Sequence, residues 1–264
     1  MFSSMERESF LQDLKRQRRD MVYITKLAKQ GHLSSSFSVL EILNVLYKRQ
    51  MAFDINNPSD YNNDRCILSK GHAGLALYAL FKEIGIISEE DFQSFSKYNS
   101  ILGEHPDRNK IPGVDVSTGS LGHGLPCGVG LATAFKSLKL NNKVFVIIGD
   151  GEANEGSVWE AALIADRLNL SNLVCIVDNN NSESYTPYLL EKFSSFGWDA
   201  YCIKNGNDID QIESALHLLK DKPLALIANT IKGYGSKTMM DDPEGWHHKV
   251  PSDEEYTRIM GELK

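Results

Sequence analysis

Four short apolar runs, at 144–148, 173–177, 199–203 and 224–228, are separated by helix-length stretches at 157–168, 187–196 and 208–219. This alternation constrains the fold more than any other feature. Antiparallel neighbours need only a tight turn, whereas parallel strands need a crossover of a dozen or more residues, usually a helix. The pattern predicts an α/β fold with three layers, a mainly parallel central sheet carrying helices on both faces. Upstream, residues 7–29 read as an amphipathic helix with Phe10, Leu14, Met21, Ile24 and Ala28 near one face, stopped by Gly31. Val39, Ile42, Leu43, Leu46 and Tyr47 form the apolar stripe of a second helix. Arg65–Leu68 reads as a short strand and 73–84 as a helix ending at Gly85. Ser88 with Asp91, and Ser252 with Glu255, have the spacing of capping boxes. From Gly103 to Gly130 the chain is glycine-rich and loop-like, then enters a small-residue helix through Phe135. With no repeat and no clear linker, a single domain over 1–264 is expected.

Composition excludes several classes. At 264 residues, with 42% hydrophobic and 24% charged, the chain can bury a large core and is not disordered. A net charge of −7 argues against a nucleic-acid module. The apolar runs are far too short to span a bilayer. Residues 6–19 mix Glu6, Glu8 and Asp13 with Lys15, Arg16, Arg18 and Arg19, unlike the apolar core of a signal peptide. Cys66, Cys127, Cys175 and Cys202 lie far apart with no CxxC, which reads as buried free thiols in a reducing cytoplasm.

In an open parallel sheet, ligands bind at the carboxyl ends of the strands. Two of these ends are unusual. The run ending at Ile148 leads directly into Gly149-Asp150-Gly151-Glu152, and the run ending at Val177 into Asp178-Asn179-Asn180-Asn181. Residues 152–178 lie between Gly151 and Asn179, 27 residues, the length of one crossover helix plus one strand, so the two loops can meet in space. Together they offer a carboxylate, several amides and open glycine backbone, hard oxygen donors suited to Mg²⁺ or Ca²⁺ bound jointly with a phosphate. Either loop alone reads equally well as a turn or a strand cap.

Histidine placement is the second feature. His32, His72 and His123 each follow a glycine, His105 lies in Glu-His-Pro-Asp, and His247-His248 follow Gly-Trp, leaving only His217 in mid-helix. Imidazoles on glycine-flanked loops reach ligands and exchange protons near neutral pH. No pair has the spacing of a zinc motif. Two near-matches fail. Gly122-His-Gly124-Leu-Pro-Cys-Gly128 is not GxGxxG and follows no strand. Gly233-Tyr-Gly235-Ser-Lys237-Thr238 has Ser236 where a P-loop needs glycine.

The Gly149-Asp150-Gly151 run, followed after 27 residues by Asn179-Asn180, resembles the thiamine-diphosphate motif. Around it, Gly31-His32-Leu33, Leu68-Ser-Lys-Gly-His72, the Gly113–Gly122 segment, the Gly151–Glu160 segment and Thr230-Ile-Lys-Gly-Tyr-Gly235 resemble transketolase. The resemblance runs from the first helix to the last and covers the first of that family's three domains, the one holding the cofactor's diphosphate. It implies a thiamine-diphosphate-binding fold and the N-terminal subunit of a split transketolase. That subunit would move a two-carbon ketol unit from a ketose to an aldose, both commonly phosphorylated. Asp150 and the Asn180 side chain would hold Mg²⁺, with Ca²⁺ or Mn²⁺ as substitutes and the Ser182 carbonyl as a third ligand. Gly149 and Gly151 would approach the diphosphate, His72 and His247 would contact it, and Gly119 and Leu121 would line the rest of the cofactor. His32, His72, His105 and His247 would face the reacting carbonyl and hydroxyls. Glu155, which the same resemblance places among the cofactor-binding residues, and Glu160 match acidic residues at the subunit interface. The chain stops at Lys264, so the resemblance implies a partner subunit carrying the pyrimidine-binding domain, in a two-plus-two heterotetramer. Small residues at Gly128, Gly130, Ala132, Ala134, Ala161, Ala162 and Ala165 are expected to lie on that interface.

The sequence departs from the family at His123, where glutamine is usual, at Ser34-Ser35-Ser36, and after Asn181, where the chain is shorter. His123 and the shortened loop leave room for another thiamine-diphosphate enzyme, either a 2-oxoacid decarboxylating subunit or a transketolase-like enzyme making a specialised sugar. A non-catalytic regulatory subunit is the third reading, and the intact metal–diphosphate loops argue against it.

Overall fold

The computed structural model describes residues 2–180 and 186–264. In chain order the elements are α1 (Ser4–Ala28), α2 (Leu33–Val45), β1 (Arg65–Leu68), α3 (Gly74–Glu83), α4 (Glu89–Gln93), α5 (Gly124–Ser137), β2 (Val144–Gly149), α6 (Gly156–Arg167), β3 (Leu173–Asn179), α7 (Leu189–Ser195), β4 (Asp199–Ile203), α8 (Ile209–Leu216), β5 (Leu224–Asn229), α9 (Lys237–Met240) and α10 (Asp253–Glu262). Among the described residues five strands form one wholly parallel sheet in the order β1-β2-β3-β5-β4. Fold class is therefore as the strand–helix alternation predicts.

Side chains on a strand alternate between faces, and β2 divides accordingly. Val144, Val146 and Ile148 pack into one core with residues of α5, α6 and α7. Phe145 and Ile147 pack into the other, among residues of α1, α2, α3, α8 and α10. The capping boxes at Ser88/Asp91 and Ser252/Glu255 both form, and a further one, Ser3/Glu6, starts α1 ahead of its apolar stripe. Among the described residues no helix is long and apolar enough to cross a membrane.

Two expectations change. All four cysteines are free, but only Cys66 and Cys175 are buried, their thiols pushed up by burial. Cys127 is exposed on α5 and Cys202 on β4, where the sheet has no further neighbour. The small residues divide as well. Gly128, Ala132, Ala161, Ala162 and Ala165 are buried within the domain, Gly128 tight against Val146. Gly130 and Ala134 are exposed on α5, while the outer surface of α6 and the residue after it carry larger apolar groups, Leu163, Ile164 and Leu168.

Candidate active site

The carboxyl ends of four strands converge on one cavity. Parallel pairing sets Gly149 opposite Asp178, and Asn179 opposite Asn229, so β2, β3 and β5 finish level. The Asp150 amide donates to the Asp178 carbonyl at 3.2 Å, and the Thr230 amide to the Asn179 carbonyl at 3.1 Å. The residues that follow are thus delivered side by side. Beyond them lies a cavity of about 410 Å³.

On its oxygen side the cavity is lined by Gly149, Asp150, Gly151 and Asn180. On its imidazole side it is lined by His32, His72, His105 and His247, with Gly119 and Leu121 between. His32 sits at the centre of the histidine group, with ring centroids 5.4 Å from His72, 5.3 Å from His247 and 4.5 Å from His248. Glycine permits the close loop approach here. A Cβ on Gly71 would lie 2.6 Å from the Gly119 amide nitrogen, and one on Gly119, whose φ is +127°, would lie 2.8 Å from the His105 ring.

Glu155 is exposed at the start of α6 and does not line the cavity; its side chain packs beside Gly122 instead. Ser182 lies outside the described residues. Glu160 is exposed on α6. His123 is exposed and off the cavity, its Nδ1 3.2 Å from the Leu121 carbonyl and 3.3 Å from Ser120 Oγ.

Sequence reasoning missed Ser35, Lys70, Glu152 and Lys232, all of which line the cavity. It also missed Asp178 behind the wall. Asp178 is fully buried and pairs with the Lys70 ammonium, which is 3% exposed. It accepts from Ser38 Oγ at 2.7 Å and Asn180 Nδ2 at 3.2 Å, and also from Thr230 Oγ1. One carboxylate therefore joins the ends of β1, β3 and β5 to α2. Glu152 performs a similar task on the other side of Asp150. It accepts from the amides of Gly122 at 2.8 Å and Gly149 at 3.2 Å, and from Ser69 Oγ. Burial pushes its pKa up despite these bonds. Lys70, Glu152 and Lys232 each stand inside the motifs named above, next to residues with an expected role. A charged residue beside a glycine at a strand end was the available sign.

The electrostatics of the imidazoles follow from burial. Desolvation lowers His32 to about 4, opposed by Glu104 and assisted by the neighbouring histidines. Desolvation and then the Lys70 charge lower His72 to about 2. Both rings are neutral near pH 7 and able to accept a hydrogen bond. Lys232 Nζ lies 3.1 Å from His247 Nδ1. The cavity thus offers hard oxygen donors, two lysines, glycine backbone and neutral imidazoles, a set that fits a diphosphate-bearing cofactor with a divalent cation.

Residues 14–258 match the thiamine diphosphate binding domain of transketolase. The chain belongs to the transketolase family. It is 35% identical to an apulose-4-phosphate transketolase subunit of Phocaeicola vulgatus, over 98% of this chain and 95% of that one. It is 36% identical to a 6-deoxy-6-sulfo-D-fructose transketolase subunit of a Clostridium species, over 89% of this chain and 88% of that one. The structure is similar to that of Campylobacter jejuni transketolase, with a TM-score of 0.90 and 27% identity over 97% of this chain. The chain spans 43% of that transketolase. Its place in the family is that of an N-terminal transketolase subunit, and the family is one of transferases.

Proposed function

We propose that this chain is the diphosphate-binding subunit of a thiamine-diphosphate- and Mg²⁺-dependent transketolase that is active with a partner subunit. The observation that carries this reading is the meeting of Asp150 and Asn180 with four imidazoles in one cavity. Asp150 and Asn180 would hold the metal, with Ca²⁺ or Mn²⁺ as substitutes, and the Ser182 carbonyl is the proposed third ligand. Lys232, His72, His247 and the Gly149 and Gly151 backbone would hold the diphosphate. Gly119 and Leu121 would line the remainder of the cofactor. When bound, thiamine diphosphate supplies the carbanion chemistry that ketol transfer needs. The chain's own contribution is to orient, desolvate and move protons. His32, His105 and His247 would face the sugar, and His32, held neutral, would accept the hydroxyl proton that the departing aldose gives up. Asp178 and Glu152 would act through the loops that they fasten.

The partner would bring the pyrimidine-binding domain, in a two-plus-two assembly, and Glu160 and Glu155 on the surface near α6 would face it. Exposed Leu163 and Ile164 on α6, with Leu168 just beyond, support a covered face there. Four thiols without a disulfide support a cytoplasmic setting. The two relatives named above, each matched over most of its length, carry names that specify unusual sugars. They favour a specialised anionic ketose over the common pentose phosphates as donor. The test is a ketol-transfer assay with saturating cofactor and Mg²⁺, run on the chain alone and with the partner co-expressed. Turnover is expected only with both. Robust turnover by the isolated chain would refute the partner requirement.

A further inference from the structure

Glu104 stands between two imidazoles at the edge of the cavity. Its Oε1 is 3.3 Å from His32 Nδ1 and 3.1 Å from His248 Nε2. The three ligand atoms lie within 4.8 Å of one another. We propose that His32, Glu104 and His248 form a binding site for a borderline-soft transition metal of the Zn²⁺ class, separate from the Asp150–Asn180 oxygen site.

Geometry carries the argument. Zn²⁺ holds nitrogen and carboxylate oxygen at about 2.0–2.2 Å, so the edges of its tetrahedron are roughly 3.3–3.6 Å. The two distances to Glu104 are close to that edge. An ordinary hydrogen-bonded triad accounts for less of the arrangement. His248 does bond to Glu104, but His32 Nδ1 is buried, faces the same oxygen and has no hydrogen bond. In the tautomer protonated at Nε2, an imidazole Nδ1 so placed has a lone pair with no aligned partner, which a metal would satisfy. Glu104 is also held from behind. The Gln30 side chain bonds to it, and Gln30 Oε1 accepts from Ser96 Oγ at 2.8 Å. Such outer hydrogen bonds are what orient metal ligands.

Ligand chemistry sorts the two sites. Nitrogen-rich donors favour Zn²⁺, Cu²⁺ or Ni²⁺, and carboxylate with amide oxygen favours Mg²⁺. His248 is 55% exposed, so a metal can enter from solvent. His32 also lines the cavity. A metal seated there withdraws the imidazole that the proposed function assigns to the sugar and leaves the diphosphate end untouched. This consequence rests on that reading, and the metal site itself does not.

The test uses the full chain without thiamine diphosphate. Zn²⁺ is titrated against a chromogenic chelator, and Co²⁺ binding is followed by its visible absorption. One equivalent of Zn²⁺ and an intense tetrahedral Co²⁺ band are expected. His248→Gly and Glu104→Gln should each weaken binding at least about 10-fold. His248 is exposed, so its removal should leave the fold intact, with circular dichroism as the check. Absence of stoichiometric binding, or binding that survives both substitutions, overturns the site. With partner and sugar, Zn²⁺ should inhibit competitively with the donor, and His248→Gly should relieve that inhibition at least about 10-fold. Because the chelator titration involves no turnover, it stands even if the ketol-transfer reading fails.

Discussion

At one end of the cavity the chain presents oxygen atoms that follow directly from β2 and β3, whereas at the other it presents imidazoles gathered from four separate segments. The oxygen end inherits its geometry from the sheet. Gly149 and Asp178 are register partners, Asp150 is held by its amide bond to the Asp178 carbonyl, and Asn180 follows directly on Asn179, whose carbonyl accepts from the Thr230 amide. The imidazole end depends on side-chain ties between distant loops. Ser36 Oγ donates to the His32 carbonyl at 2.8 Å, and Ser34 Oγ to the Trp246 carbonyl at 2.9 Å, next to His247. The Gly233 amide donates to the Ser34 carbonyl at 3.0 Å. Two of the three successive serines that depart from the family pattern, Ser34 and Ser36, are thus part of the scaffold for the histidines. Sheet register is hard to disturb by one substitution. A network of ties is easily disturbed.

Asp178 tests this division most severely, because it serves both ends. Asp178→Asn would leave the Lys70 ammonium buried without a counter-charge. Breaking a buried pair from one side costs about 3–5 kcal/mol. Urea unfolding should show that loss, and a double variant, Lys70→Met with Asp178→Leu, should recover much of it. A loss below about 1 kcal/mol would mean that water reaches the pair and that the two ends are not joined through it.

Asp150→Ala should act on the oxygen end alone. Mg²⁺-dependent affinity for thiamine diphosphate should fall about 100-fold or more, since even the partners behind metal ligands are worth about 10–100-fold. Melting temperature without cofactor should barely change. Calorimetric titration of the assembled complex checks this, and wild-type-like affinity would remove Asp150 from the metal site.

His32→Ala and His105→Ala should act on the imidazole end alone. In the assembled enzyme each should lower kcat/KM by up to about 100-fold, the low end of what a placed acid–base group contributes. Cofactor affinity should stay within about twofold, because neither residue belongs to the diphosphate loops. A parallel fall in cofactor affinity would show that the cavity does not divide as described.

The same division governs what could be read from sequence. Strands, caps and the Asp150/Asn180 pairing were legible because each is encoded locally, as an apolar run followed at once by polar residues. The histidines were legible one by one, through their glycine neighbours. Their company was not. Lys70 meets Asp178 across 108 residues and His248 meets Glu104 across 144, and nothing in the spacing announces either pair. Glu152 looked like part of a turn because its partners, Ser69 and Gly122, come from two other loops. Glu155 differs in the opposite direction. A three-residue turn, Glu152–Asn154, separates it from the residues that line the cavity, so adjacency to the motif is not adjacency to the cavity.

The smallest expected effect is a pH dependence of opposite sign at the two ends. His32 and His72 have folded pKa values of about 4 and about 2, below the ordinary 6.5. As pH falls through about 6.5 the unfolded chain takes up protons that the folded rings refuse, so stability declines. The decline continues until each folded pKa is reached, at about 4 for His32 and about 2 for His72. The slope cannot exceed about 1.4 kcal/mol per pH unit for each ring, and solvent at the partly exposed His32 reduces its share. Glu152 works the other way, because its folded pKa lies above its ordinary 4.5. Between those two values the folded state binds the proton first, and acid stabilises it. Urea unfolding at a series of pH values from 7 to 4.5 separates the two. His32→Gln should flatten the decline, and Glu152→Gln, by removing the offset, should steepen it. Equal slopes in both variants and the wild type would show that neither end of the cavity controls the acid response of the fold.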